Sequence, residues 1–363
     1  MSTAPLIDPR DLEVLPIERS ETIPSRWYTD PAFHSFEREA LFSQSWQYLG
    51  PMEHLQQPGD QVAGLVGGNP VLAVRGQDAI LRAFYNVCRH RGGPLVTSNC
   101  NTKVLQCKYH GWTYLLDGSL RGTPRFDRTE LFDKKNFGLT PIRVDSWQNL
   151  VFLNLAENGV PLAPVLAGIS ERIKPVDLTG KKFFQRVTYD VRCNWKVYID
   201  NYLEGYHLPF VHPELCNLLD YQNYRTETFG YYSLQHSPLQ RSAGIYEGDG
   251  PAYYFFVWPN FMLNILPGRL QTNLVVPNSH HTCQVHFDYY YDDVGSGRVR
   301  EKAEQDLRYS DQVQEEDIEI CEHVQRGLES AAYDKGRFSP EMENGVHHFQ
   351  SLLKHAYREA QRR

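Results

Sequence analysis

Apolar positions recur along this chain with two different periods. In "IPSRWYTDPAFHSFEREALFSQSWQYLG" an extended entry leads into a segment where Phe33, Phe36 and Leu41 with Phe42 form one apolar stripe, which predicts an amphipathic helix. From about residue 50 to 155 the pattern changes to short alternating runs, such as "NPVLAVRG", "AILRAFYNV" and "NLVFLNL", broken by Gly, Pro and Asn. Such runs at short spacing predict a small antiparallel β domain. "ENGVPLAPVLAG" then supplies turn residues and opens a second region. That region reads as a helix at about 194–207, strand-like runs "QTNLVVP" and "CQVHFDYYY", and a long helix at about 301–331. The expected class is α+β. A small antiparallel β domain over residues 46–155 is inserted into a domain over 156–363 whose antiparallel sheet is flanked by helices, with residues 1–45 packing on the latter.

Composition narrows the picture without changing it. At 363 residues the chain suits two domains, given roughly 150 residues per domain. Its 41% hydrophobic and 22% charged residues are those of a globular protein. No apolar run approaches the ~18 residues of a membrane span. The start "MSTAPLIDPRDLEVLP" has acidic residues and no apolar h-region, unlike a secretory signal. A net charge of −7 without a basic block argues against nucleic acid. Seven unevenly spaced cysteines do not form a disulfide framework. A cytoplasmic location is expected.

Two short stretches carry the first candidate chemistry. "FYNVCRHRGG" and "LQCKYHGWTY" place Cys88, His90, Cys107 and His110 in the pattern Cys-x-His-x16-Cys-x2-His. Iron–sulfur clusters take Cys thiolates, and in Rieske centres two histidines replace two cysteines on one iron, raising the potential. Gly92, Gly93 and Gly111 follow the ligands and let backbone approach sulfur closely. A structural zinc site also takes Cys and His, although zinc loops more often use paired cysteines. Cys100 reads as a bystander. "CRHRGG…CKYHGWTY…DGSL" resembles the Rieske motif of the Rieske non-haem iron oxygenases. The resemblance implies a [2Fe-2S] cluster on those four residues. A Rieske domain alone also fits an electron-transfer protein, so the rest of the chain must discriminate.

The second candidate is "CNWKVYIDNYLEGYHLPFVHPE", with His207 and His212. Mononuclear iron that activates O2 is typically held by two histidines and one carboxylate. On an ideal helix a five-residue gap rotates side chains by roughly 140°. Pro209 breaks the helix between them and lets His212 swing back. Trp195, Ile199, Tyr202 and Tyr206 form an apolar stripe, with Asp200, Glu204 and His207 on the opposite side. By itself that polar side reads equally as a solvated helix face. "NWK…DNYLEGYH…H" resembles the iron-binding segment of the same family.

The third ligand must come from elsewhere. In "SDQVQEEDIEICEHVQRGL", Val313, Ile320, Cys321, Val324 and Leu328 make a stripe with Asp317 near its middle. An inward carboxylate needs a metal, an Arg or a backbone amide as partner. The family's third ligand on a late helix implies Asp317, with Glu316 as the other candidate. Glu204 stands where the family has an acidic residue linking the two metal centres. The resemblance implies that it bridges His207 to His110 of a neighbouring subunit, with glutamate where many members have aspartate.

The resemblance further implies a Rieske mono- or dioxygenase using O2 at a mononuclear Fe(II), in a head-to-tail homotrimer. Electrons come from NAD(P)H through a separate flavin- or ferredoxin-type reductase. "DIEICEHVQRGLESAAYDKGRFSPEMENGVHHFQSLL" and "YYFFVWPNFMLNI" are similar to the branch acting on choline, glycine betaine and carnitine. A trimethylammonium group binds aromatic faces, and the chain has 22 Tyr, 18 Phe and 6 Trp, most of them serving the core. Asn201 and Tyr202 are pocket candidates, although the apolar stripe reads Tyr202 more readily as a core residue. The expected reaction is hydroxylation, with possible N-demethylation, beside a quaternary nitrogen. The alternatives are an aromatic ring-hydroxylating or O-demethylating oxygenase, and a Rieske electron carrier. His280, His281, His347 and His348 read as surface or packing residues, and His323 as pointing away from Asp317.

Overall fold

The computed structural model describes residues 5–239, 250–295 and 297–362. These fall into two compact units, residues 41–163 and residues 1–40 with 164–363.

The smaller unit is built on an antiparallel sheet whose strands run in the order Gln47–Pro51, Leu150–Asn154, Pro141–Trp147, Leu81–Tyr85, Asn69–Arg75, Asp60–Val66 and Cys100–Asn101. Side chains alternate across a strand, and the unit uses both faces. Val71, Ala73 and Ala83 join Val62, Val151 and Leu153 in one core. Leu72, Val74 and Phe84 turn the other way, onto Cys88, Cys107, Trp112 and Tyr114. A second sheet of three short strands, Leu105–Gln106, Thr113–Tyr114 and Leu120–Gly122, carries the second Cys/His loop.

The larger unit holds a seven-stranded antiparallel sheet ordered Lys182–Val191, Cys283–Tyr291, Arg269–Pro277, Phe261–Leu266, Pro251–Val257, Tyr232–Pro238 and Arg225–Thr228. The helices Trp195–Tyr202, Arg298–Leu328 and Asn344–Gln361 flank it. The amino-terminal helix Pro31–Glu37 is capped by Asp30, whose carboxylate accepts from the Ala32 amide. It is anchored through Glu37, which accepts from Lys196 Nζ at 2.5 Å and Trp195 Nε1 at 2.7 Å. Both members of this ion pair are buried. Removing one would strand the other's charge at a cost of about 3–5 kcal/mol.

Two helices differ from their reading in the sequence. The helix expected to reach about residue 207 ends at Tyr202. Glu204 then folds back, accepting from the amides of Tyr206 and His207. Gly205 packs so closely on Tyr224 that a Cβ would lie 2.7 Å from its ring. Tyr206 therefore leaves the apolar stripe and is 50% exposed. Pro209 does not make the break, because it sits in the first turn of a new short helix, Leu208–Val211, where its missing N–H costs nothing. In Arg298–Leu328 the buried line runs through Asp306, Ser310, Gln314, Cys321 and Gln325, while Val324 is exposed. Each of those polar side chains makes at least one hydrogen bond. Arg269 meets Asp306 at 2.6 Å, Tyr289 meets Ser310 at 2.9 Å, Tyr198 meets Gln314 at 2.6 Å, and the Asn194 amide meets Gln325 at 2.8 Å.

Candidate metal centres and cavity

In the smaller unit two loops of matching geometry present the Cys/His pairs. The Cys88 amide donates to Gly93 O at 2.8 Å and the Gly92 amide to Cys88 O at 2.9 Å; Cys107 pairs likewise with Trp112 and Gly111 at 2.9 Å. Gly92 and Gly111 close the loops at φ +74° and +75°, a conformation open to glycine at little cost. Gly93 packs so tightly that a Cβ would lie 2.8 Å from Cys107 Sγ. The two thiols are buried. The two imidazoles stack edge to face, with ring centres 4.7 Å apart, and Trp112 lies flat on His90. His110 is exposed and Cys100 lies outside the group.

The donor set fits a Rieske cluster. His90 Nδ1 is buried without a hydrogen-bond partner, as expected of a nitrogen reserved for a metal. Burial, with Cys88 alongside, pushes the Cys107 thiol up, and burial beside His110 pulls His90 down. Two inner thiols and two outer imidazoles are what such a cluster takes. The sequence reading missed Tyr114. Its hydroxyl accepts from the Arg89 amide at 2.9 Å and lies 3.3 Å from Cys88 Sγ, toward which its own proton can point.

In the larger unit the turn after Trp195–Tyr202 and the long helix bring His207, His212 and Asp317 together. One ligand atom from each lies within 4.8 Å of the others. His212 Nε2 is 2.9 Å and His207 Nε2 is 3.8 Å from Asp317 Oδ1. Both imidazoles turn Nε2 inward because a carboxylate holds the other nitrogen. Glu204 Oε1 lies 2.7 Å from His207 Nδ1, and Glu316 Oε2 lies 2.6 Å from His212 Nδ1. Such outer carboxylates fix tautomer and ring orientation at metal sites. Glu316, weighed from the sequence as an alternative ligand, thus stands behind His212 rather than beside Asp317. Asn201 donates to Asp317 Oδ1 at 2.6 Å. Burial pulls His212 down, but Asp317 and Glu316 outweigh it and the net shift is upward. Two histidines, one carboxylate and open space beside them fit a mononuclear non-haem iron.

Asp200 does not share this site. Its oxygens accept from Tyr28 OH at 2.5 Å and from Gln350 Nε2 at 3.3 Å. Burial, only partly offset by those bonds, raises its pKa to about 7. His280 and His281 lie in a turn closed by Asn278 and Thr282, and His347 packs on Phe338. His323 is exposed.

A cavity of about 130 Å³ opens beside the three converging ligands, lined among others by Asn201, Tyr202, Glu204, Tyr224, Tyr254 and Arg269. The hydroxyls of Tyr202 and Tyr224 are tied to Asn264 at 2.6 Å and Gln235 at 2.9 Å. What these two side chains leave for a ligand is chiefly ring.

Comparison with known proteins agrees with both centres. Residues 45–137 match the Rieske [2Fe-2S] domain, and residues 181–359 match the ring-hydroxylating alpha subunit (catalytic domain). Chloroplastic choline monooxygenase from Arabidopsis thaliana is 38% identical over 94% of this chain and 84% of its own length. The carnitine monooxygenase oxygenase subunit from Acinetobacter baumannii is 32% identical over 92% of this chain and 94% of its own. A crystal structure of the quaternary ammonium Rieske monooxygenase CntA with L-carnitine superposes with TM-score 0.84 at 30% identity, covering 95% of this chain and 99% of that one.

Proposed function

This chain belongs to the Rieske non-haem iron oxygenase family, and from that premise we propose that it hydroxylates a small quaternary ammonium compound. The catalytic-domain match over residues 181–359 excludes a bare electron carrier. The observation that carries the substrate reading is the cavity beside His207, His212 and Asp317, with its tyrosines and the Glu204 carboxylate. Aromatic faces bind a cation that has no hydrogen to donate, at about 0.5–2 kcal/mol each. At about 130 Å³ the space is near the ~150 Å³ of an engineered cavity that holds one benzene. That suits choline or a betaine better than a fused aromatic system. The names of the choline and carnitine relatives point the same way.

In this proposal Cys88, His90, Cys107 and His110 hold the cluster, and His207, His212 and Asp317 hold Fe(II). When bound, the two groups supply single electrons at a raised potential and a site for O2 reduction. The chain's own residues do the rest. Glu204 and Glu316 hold the Nδ1 sides of the two imidazoles so that each Nε2 is turned to the metal position, and Asn201 fixes the Asp317 carboxylate. The tyrosines seat the ammonium head so that an N-methyl or neighbouring C–H faces the metal, and the tight lining limits water. Hydroxylation at an N-methyl yields an N-hydroxymethyl ammonium ion that breaks its C–N bond, releasing formaldehyde, a proton and the demethylated tertiary amine.

A separate NAD(P)H-dependent reductase supplies the electrons. In the same proposal Glu204 couples His207 to His110 of a neighbouring subunit in a head-to-tail homotrimer, and the cytoplasm is the proposed location. Among the described residues no helix is long and apolar enough to cross a membrane. The test is coupled O2 and NAD(P)H consumption with product analysis across choline, glycine betaine, carnitine and aromatic acids. Coupled product from a quaternary ammonium compound is expected. Tight coupling to aromatic acids alone would overturn the reading.

A further inference from the structure

Resting on the quaternary ammonium reading, we infer that the cavity selects a cation whose other end is an uncharged oxygen, a cationic alcohol rather than a zwitterion. Asp306 enforces this by cancelling the charge of Arg269.

Arg269 is the cation to which a substrate carboxylate would turn, because it lines the cavity. Its charge is already matched. Its Nη1 lies 2.6 Å from Asp306 Oδ1, with both side chains only 6–7% exposed. Tyr291 OH donates to the second Asp306 oxygen at 2.7 Å, and the guanidinium lies 5.5 Å from the Tyr289 ring centre. A substrate carboxylate brought to Arg269 would face Asp306 across one shared guanidinium in a buried setting, where an uncompensated negative charge is costly.

The neutral donors nearby have the opposite character. Gln314 is buried to 1% exposure, and its Nε2 has no partner among the described residues, as is true of Tyr309 OH. The carbonyl of Asn264 is held by Tyr202 OH at 2.6 Å and that of Asn273 by Gln271 at 2.8 Å, which leaves both amide N–H groups to donate. All four residues line the cavity. Neutral N–H and O–H donors satisfy a hydroxyl oxygen without importing a second charge. The one net charge brought in is then the ammonium, in a cavity that Glu204 also lines.

The experiment uses the holoenzyme with its reductase, comparing choline, glycine betaine and carnitine by kcat/KM and by calorimetric Kd. Choline is expected to lead both zwitterions by roughly tenfold or more, mainly in KM and Kd. In Asp306→Asn, which removes the opposing charge and keeps the shape, the ratio is expected to move roughly tenfold toward the zwitterions. The wild-type comparison stands even if that variant folds poorly. A zwitterion preferred by the wild type, or an unchanged ratio in folded Asp306→Asn, overturns the inference and leaves the quaternary ammonium reading intact. Turnover of aromatic acids with none of the three ammonium compounds accepted overturns both.

Discussion

Replacing Glu316 with alanine tests how the iron site is built without touching a proposed ligand. Glu316 Oε2 lies 2.6 Å from His212 Nδ1, and no other side chain holds that nitrogen among the described contacts. Loss of such an outer partner typically costs 10–100-fold in metal affinity. The Glu316 side chain is 34% exposed, so solvent screens part of its charge. The low end follows, about tenfold or ~1.4 kcal/mol. Glu316→Gln keeps an acceptor for Nδ1–H and is expected to lose less than alanine. The assay is competition for Fe(II) between the protein and a graded series of chelators, with cluster absorbance as an internal control for the other centre. Weaker Fe(II) retention in the order wild type, Gln, Ala, at constant cluster absorbance, is the expected result. Unchanged retention in Glu316→Ala would refute the idea that this carboxylate sets the imidazole.

The remaining predictions concern Asp200 and the cluster. Because burial lifts the folded-state pKa of Asp200 to about 7 from an unfolded value near 3.8, the folded chain holds an extra proton between those pH values. This contribution to stability is full below about pH 4 and is lost as pH rises toward 7, on the order of 4 kcal/mol. Asp200→Asn should flatten the fall in Tm over that window and be the more stable form at pH 8; a parallel fall in both proteins would contradict it. Tyr114→Phe removes the hydroxyl 3.3 Å from Cys88 Sγ. Hydrogen bonds to sulfur raise cluster potentials, so a redox titration should show a lower potential with the visible spectrum otherwise retained, and an unchanged potential would count against the contact.

The α+β class was legible because the two regions differ in period: strands such as Asn69–Arg75 alternate across a sheet, while Arg298–Leu328 winds at helical pitch. The cluster candidates were legible for a related reason, since their spacing is set by two local loops that close within six residues each. Where the helix beginning at Trp195 ends was not legible from apolar spacing. Glu204 folding onto its own neighbours and Gly205 pressed against Tyr224 decide it. The buried face of the long helix was misread because its inward residues are polar and meet partners far along the chain, as Asp306 meets Arg269. Glu316 behind His212, and Tyr202 on Asn264, depend on contacts 104 and 62 residues apart, which no local pattern encodes. An acidic neighbour of a candidate ligand on the same helix was the available signal for Glu316.

The central claim is that one chain carries a two-iron Rieske cluster and a separate mononuclear iron held by His207, His212 and Asp317. Iron and sulfide analysis with EPR on anaerobically loaded wild type and Asp317→Ala tests it most directly. About three irons and two sulfides are expected per wild-type chain, with loss of about one iron in the variant while the reduced Rieske signal persists. Equal iron content in both proteins, or zinc in place of the cluster, would contradict it.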